Sequence, residues 1–218
     1  MKIGVICPDR GDRPKFLNNF KRMLENQTLQ PDEVLIVGLD EVKVTDKKPD
    51  ITKRYRYGYD YMSKKGVDVI ALMENDDWYS PDYLKTMIAE WVKNGKPDIF
   101  GTNYTIYYNL HLNKGFTFNH KRRSSAMSTL IKPNLGFKWC AEHEPYTDIH
   151  LWHHIQDKKT FEPSQHICIG IKHGTGLCGG RHHTDRLNRY EAKKYDISLL
   201  QQTMDEASYK FYTNYLHE

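Results

Sequence analysis

In the first half of the chain, short apolar blocks alternate with amphipathic stretches, and turn residues close each one. Residues 2–7, apolar from Ile3 to Cys7, predict a buried strand, and Pro8-Asp9-Arg10-Gly11-Asp12-Arg13-Pro14 is the loop that ends it. Residues 15–26 place Phe16, Leu17, Phe20, Met23 and Leu24 on one helical face. A second strand over 33–37 runs into Gly38-Leu39-Asp40, and residues 43–53 are polar and read as a loop. A helix over 53–65 is expected to end at Gly66, and a third strand covers 69–73. A helix over 81–94 then closes at Gly95, and residues 98–108 read as one further strand with Tyr104, Ile106 and Tyr108 alternating. This order, βαβαβαβ, predicts an α/β protein with a doubly wound, mostly parallel sheet.

Beyond residue 109 the pattern loosens. Residues 114–128 are basic and read as a loop, 129–131 as a short strand, 147–156 as a helix and 166–171 as a last strand. Residues 185–217 read as one or two helices, a short C-terminal tail on one domain spanning 1–184. Within that domain a first half to about residue 108 and a second half over 109–184 are expected to divide the binding work. No internal repeat or low-complexity tract is visible.

The sharpest chemical signal is the end of the third strand. There the apolar run stops at Met73, and Glu74, Asp76 and Asp77 follow within four residues. Ligands bind beyond the carboxyl ends of strands in open α/β sheets. Acids crowded at such a point repel one another unless a cation lies among them, and hard oxygen donors suit Mg2+ or Mn2+. The alternative is ordinary capping: Asp77 closing a turn, and Ser80 capping a helix whose first residue is Pro81.

Composition adds less. The chain has 15 Tyr, 8 Phe and 4 Trp, suited to half-wet clefts, and a net charge of +4 compatible with anionic ligands. The first residues carry too short an apolar run for a signal peptide, and no run reaches membrane-spanning length. With Cys7, Cys140, Cys168 and Cys178 then expected as reduced thiols, a cytoplasmic location is the expectation.

Four segments together resemble the family 2 glycosyltransferases, nucleotide-sugar-dependent enzymes of the GT-A fold. They are Ile3-Gly4-Val5-Ile6-Cys7-Pro8-Asp9-Arg10 with Arg13-Pro14, the link Asn26-Gln27-Thr28 to Pro31-Asp32-Glu33, Glu74-Asn75-Asp76-Asp77-Trp78 with Ser80-Pro81-Asp82, and Tyr146-Thr147-Asp148 before a helix. The resemblance covers residues 2–95 well and 140–185 loosely. It departs from the family in having Glu74 as the first acid, only Asp40 after the second strand, and Thr147 before Asp148.

The resemblance implies a transfer of a sugar from a nucleoside diphosphate donor, UDP favoured, to a hydroxyl acceptor with inversion. Asp76 would be the direct ligand of Mn2+ or Mg2+, with Asp77 behind it. Pro8, Asp9, Arg10, Asp40, Glu74, Asn75 and either Arg54 or Arg56 would hold the donor, and Arg181 its diphosphate. A late histidine, His173, His182 or His183, would complete the metal site. Asp148 would take the acceptor proton, with Glu142 and Glu144 as competitors. Trp78, Trp139, Lys121, Arg122 and Arg123 would face the acceptor, whether a polysaccharide, a small molecule or hydroxymethylated phage DNA.

Other readings stay open. The Gly-rich stretch from His173 to His183 suits a phosphate-cradling loop or a mobile lid, and Cys168, His173, Cys178 and His182 suit zinc, though in no standard spacing. Nucleotidyl transfer would use the same acids, although the first loop has only Gly11 to wrap a triphosphate. A non-catalytic nucleic-acid-binding protein would use the basic 114–123 segment.

Overall fold

A computed structural model describes residues 1–44, 48–174 and 194–215. Among the described residues eleven strands form two sheets. The first sheet is built on β1 (Ile3–Pro8), whose six residues are all buried. It lies parallel between β2 (Glu33–Val37) and β3 (Val69–Leu72). The sheet continues through β8 (Thr129–Ile131), β5 (Ile99–Thr102) and β9 (Lys158–Phe161), in the order β2-β1-β3-β8-β5-β9. Only β8 runs against its neighbours, so the expected mostly parallel sheet is present.

Alternation explains why β1 and β3 read as unbroken apolar runs. Val5, Cys7, Val69, Ala71 and Met73 enter one core cluster, whereas Ile6, Ile70 and Leu72 enter another. Both faces of the sheet are covered, so neither needs polar residues. The first cluster takes Phe16, Phe20, Met23 and Leu24 of α1 (Pro14–Glu25) and Leu84, Met87, Ile88 and Trp91 of α3 (Tyr83–Lys93). The second takes Tyr55, Tyr59 and Met62 of α2 (Ile51–Lys65) and Leu151 and Trp152 of α4 (Thr147–His154). Gly66 ends α2 in the left-handed conformation at φ 67°, as its position after Lys65 predicts.

Several expected boundaries move. Helix α2 starts at Ile51, inside the segment expected to be loop, and α4 stops at His154. Helix α3 begins at Tyr83 instead of Pro81, because the Pro81 carbonyl accepts from Thr28 N at 2.8 Å and the Asp82 carboxylate from the Thr28 hydroxyl at 2.6 Å. The expected single strand over 98–108 is two strands. It breaks at Asn103, where the chain leaves the first sheet and begins β6 (Tyr104–Asn109) of the second.

The second sheet has the order β11-β7-β6-β10-β4. The basic segment expected as a loop instead forms β7 (Lys114–Asn119), which hairpins onto β6 with Tyr107 opposite Phe116. Its phenylalanines alternate with polar residues, and the cations Lys121, Arg122 and Arg123 are confined to the turn that follows. Strand β10 (Cys168–Lys172) lies parallel to β6, and the two-residue β4 (Trp78–Tyr79) pairs antiparallel with β10. The two-residue β11 (Lys194–Tyr195) edges β7.

Two short helices, α5 (Ser198–Thr203) and α6 (Glu206–Asn214), fold back onto the first core cluster through Leu199, Leu200, Met204 and Tyr212. Asp205 caps α6 by accepting from Ser208 N at 2.9 Å. Arg22 of α1 joins this cap, donating to Asp205 at 3.1 Å and to the Ser208 hydroxyl at 2.6 Å. Phe16 packs against Phe211, Tyr212 and Tyr215. Among the described residues no helix is long and apolar enough to cross a membrane.

Candidate active site

The parallel strands β1 and β3 deliver their carboxyl ends to one place, and a cleft of about 340 Å³ opens there. The loop after β1, the acids after β3, the start of α4, the β6–β7 hairpin and the end of β10 all line it.

The acidic segment is pinned at every step. Glu74 N donates to the Tyr79 hydroxyl at 2.8 Å, and the Asn75 amide donates to Asp9 at 2.8 Å. The Asp77 carboxylate is buried and accepts from Ile171 N of β10 at 2.8 Å. Asp76 accepts from Arg13 and meets His173 Nε2 at 2.9 Å. Carboxylate oxygens of Glu74, Asp76 and Asp77 lie within 4.8 Å of one another.

Such crowding separates their affinities for protons. Burial, and then the charge of Asp76, pushes the Glu74 carboxyl up to about 7. Burial would also raise Asp76, but Arg13 and the hydrogen bond to His173 outweigh it and hold that carboxyl well below the usual range. Burial and the charges of Asp76 and Glu74 drive Asp77 upward. Lys172, buried at the end of β10, is the second cation: burial alone would lower its affinity for a proton, but Asp77, Tyr107 and Asp76 raise it above the ordinary lysine value. Its ammonium sits 4.6 Å from the centre of the Tyr107 ring.

This donor set suits a hard divalent cation. Three carboxylates with an imidazole at Asp76 give oxygen and nitrogen ligands, and the raised Glu74 marks a local excess of negative charge that a cation would relieve. Asp76 and Glu74 line the cleft and could hold it; His173 meets Asp76 but stands outside the carboxylate cluster. Asp77, committed to Ile171 N, supports from behind.

Asp148 opens the first turn of α4 and lines the same cleft. Burial raises its carboxyl, and Arg123, which donates to it at 3.0 Å, opposes the rise. The two competing acids are elsewhere engaged or outside: Glu144 accepts from Tyr146 N at 3.0 Å and Glu142 is exposed. An apolar wall of Phe116, Phe118 and Tyr107 faces the cleft, with the Tyr107 hydroxyl 2.6 Å from that of Ser125. His120 completes the wall, and its burial and the nearby Arg123 press its imidazole down to about 3, so the ring is neutral.

Of the residues expected at the site, Pro8, Arg10, Arg54, Glu74, Asn75, Asp76, Arg123 and Asp148 line the cleft. Asp9 stands behind on Asn75, and His173 on Asp76. Arg54 is fully buried and spends its donors on Val37 O, Gly38 O, Val42 O and Asp50, so it fastens the loop after β2 and has little left for a ligand.

Six expected residues do not come to the cleft. Arg56 is exposed on α2, and Asp40 is exposed while its neighbour Glu41 turns in to Gly38 N. Trp78 is buried in the first core cluster because β4 pairs with β10. Trp139 packs edge-on against Tyr59 of α2 and at a tilt against Phe137. Lys121 and Arg122 are exposed in the turn after β7. Arg181, His182, His183 and Cys178 lie outside the described residues, so the zinc arrangement has only Cys168, buried in β10, and His173 on the page. The thiols of Cys7, Cys140 and Cys168 are free.

Lys172 is a site residue not expected from the sequence, although it had a visible signal, a lysine closing the apolar run of β10. Arg13 was legible only as part of the loop after β1, whose alternating charges fit a ligand loop and a plain surface loop alike.

No family model matches the sequence, and no curated protein matches it. Solved structures do. S. aureus TarS residues 1–349 in complex with UDP-GlcNAc shares 13% identity over 99% of this chain and 72% of that one, with a TM-score of 0.57. Against the longer TarS chain the likeness covers 99% of this chain and 43% of that one, at 14% identity and a TM-score of 0.51. The mannosyltransferase PcManGT from Pyrobaculum calidifontis, in complex with GDP-Man and Mn2+, shares 10% identity over 86% of this chain and 60% of that one, with a TM-score of 0.52. At such identities the likeness is one of fold, and the fold is the GT-A-like arrangement of these glycosyltransferases.

Proposed function

We propose that the protein transfers a sugar from a nucleoside diphosphate donor to a hydroxyl acceptor. The observation that carries this reading is that a carboxylate cluster fit for a divalent cation and a separate, raised carboxylate, Asp148, share one cleft. The bound UDP-GlcNAc and GDP-Man of the structural neighbours support the donor class.

The donor would enter over the ends of β1 and β3. Arg10 and the Asp9–Asn75 pair are placed for the nucleoside, with UDP favoured, and Arg13 and Lys172 for the diphosphate. A divalent cation held by Asp76 and Glu74, with His173 beside Asp76, would supply charge for the leaving diphosphate. On the acceptor side the wall of Phe116 and Phe118 offers a stacking surface for a sugar ring. Asp148 accepts the hydroxyl proton as the oxygen attacks the anomeric carbon. The bond from that carbon to the diphosphate oxygen breaks, its electron pair leaves with the diphosphate, and Lys172 and Arg13 stabilise the charge that grows there. Attack from the side opposite the diphosphate gives inversion.

Titration with UDP, GDP and CDP, each with and without Mn2+, tests the reading in wild type and Asp76→Ala. Metal-dependent binding of one nucleotide, lost in the variant, is expected. Failure of every nucleoside diphosphate to bind would remove the donor site from this cleft.

A further inference from the structure

Asp76 already has a cation. Its Oδ2 accepts from Arg13 Nη1, and the same Nη1 lies 3.2 Å from His173 Nε2, which is itself 2.9 Å from that Oδ2. One guanidinium nitrogen therefore touches the Asp76 oxygen of the carboxylate cluster and the imidazole nitrogen beside it. With Arg13 there and the Lys172 ammonium alongside, an incoming divalent ion meets two like charges and a carboxylate oxygen whose lone pairs are engaged.

The two cations differ in freedom. Lys172 is buried within β10 and backed by the Tyr107 ring. Arg13 lies in the loop after β1, directly before Pro14 of α1, with a side chain 22% exposed and a second carboxylate, Asp12, 3.5 Å away. A guanidinium presents a planar fork that fits two phosphate oxygens better than the single oxygen it now holds.

We propose that Arg13 is a latch on the donor site: in the ligand-free protein it takes the divalent cation's place on Asp76, beside His173, and an arriving diphosphate draws it away, so that diphosphate and cation bind cooperatively. The proposal rests on the donor reading above and adds an order to it. Cation alone binds weakly, because it must displace Arg13 with only the solvent-exposed carboxylate of Asp12 at hand to receive the guanidinium. Diphosphate supplies a second receiver, and Asp76 and His173 are released together. By linkage the cation strengthens nucleotide binding by the same factor.

Mn2+ titration followed by the electron paramagnetic resonance of the free ion tests this, alone and with UDP, GDP or CDP, in wild type and Arg13→Gln. In wild type the effective nucleotide should tighten Mn2+ by roughly tenfold or more, within the usual span of coupling between sites. In Arg13→Gln, Mn2+ alone should bind about tenfold tighter than in wild type, and nucleotide should add little. Independent binding of Mn2+ and nucleotide in wild type overturns the latch whatever the variant does. So does an Arg13→Gln protein whose Mn2+ affinity is unchanged or weaker. If no nucleoside diphosphate binds any protein yet Arg13→Gln still gains Mn2+ affinity, the donor reading fails while the competition at Asp76 stands.

Discussion

Arg123 donates to the Asp148 carboxylate at 3.0 Å, joining the turn after β7 to the first turn of α4. This pair sets how basic Asp148 is. Burial raises the carboxyl and Arg123 restrains it, so the residue proposed to take the acceptor proton carries a charge with a designated counter-ion.

Asp148→Asn keeps the shape and removes the base. The expected result is a fall in kcat of about 10²–10⁴ with nucleotide affinity unchanged. Arg123→Gln removes the restraint, so the Asp148 pKa should rise further. The base works only when ionised, and activity is lost as pH falls through its pKa. The acidic limb of the rate profile should therefore move to higher pH in Arg123→Gln, and an unmoved limb would mean that another group sets it.

Lys172→Met leaves Asp77 and its neighbours without their buried cation. Breaking such an arrangement from one side is expected to destabilise the fold by about 3 kcal/mol, read by urea denaturation. Mn2+ should raise the Tm of the variant more than that of wild type, since it restores positive charge to the same carboxylates.

Gly170 lies under the Tyr107 ring, where an added Cβ would come 2.5 Å from the ring carbon Cδ1. Gly170→Ala must push Tyr107 aside and break its 2.6 Å contact with the Ser125 hydroxyl. A loss of about 1–3 kcal/mol is expected from overpacking, together with a weaker acceptor KM because the cleft wall moves.

Asp205→Ala removes both the cap of α6 and the partner of Arg22. Loss of the cap alone is worth about 1 kcal/mol at neutral pH. Burial would raise the Asp205 carboxyl, but the Ser208 hydroxyl and amide and the Arg22 charge outweigh it and lower its pKa. A carboxyl lowered in the folded state contributes its stability above its unfolded pKa and loses it as pH falls through the folded value. The gap in Tm between wild type and variant should thus close in acid, and a constant gap would assign the effect to packing instead.

The fold of the first hundred residues was legible because its strands are buried on two faces and its helices on one, so the periods stay clean in Ile3–Pro8, Val69–Leu72 and Pro14–Glu25. Strand β9 was missed because it edges the sheet and carries Lys158 and Lys159, which blunt an edge as they hide a strand. Strand β7 was hidden by the charges of the turn that follows it. At the site, Glu74, Asp76 and Asp77 stood out because they interrupt an apolar run, whereas Asp148 came from the resemblance of Tyr146-Thr147-Asp148 alone, since an acid at a helix start reads equally as a cap. Trp78 looked like a stacking platform beside those acids, but the pairing of Trp78 with Ile169 is a contact across about ninety residues that no local pattern reports. The Arg13–Asp76 contact is of the same kind.

The ring of His173 packs against Phe16 of α1, at 4.5 Å, and Tyr215 just beyond α6, at 6.0 Å. The full aromatic packing of this histidine forms only after synthesis has carried residue 215 clear of the ribosome. The acids of β3 emerge some 140 residues earlier, so a nascent chain holds its carboxylates long before the imidazole beside them is in place. Competence for donor and cation would then wait on α6 docking against α1.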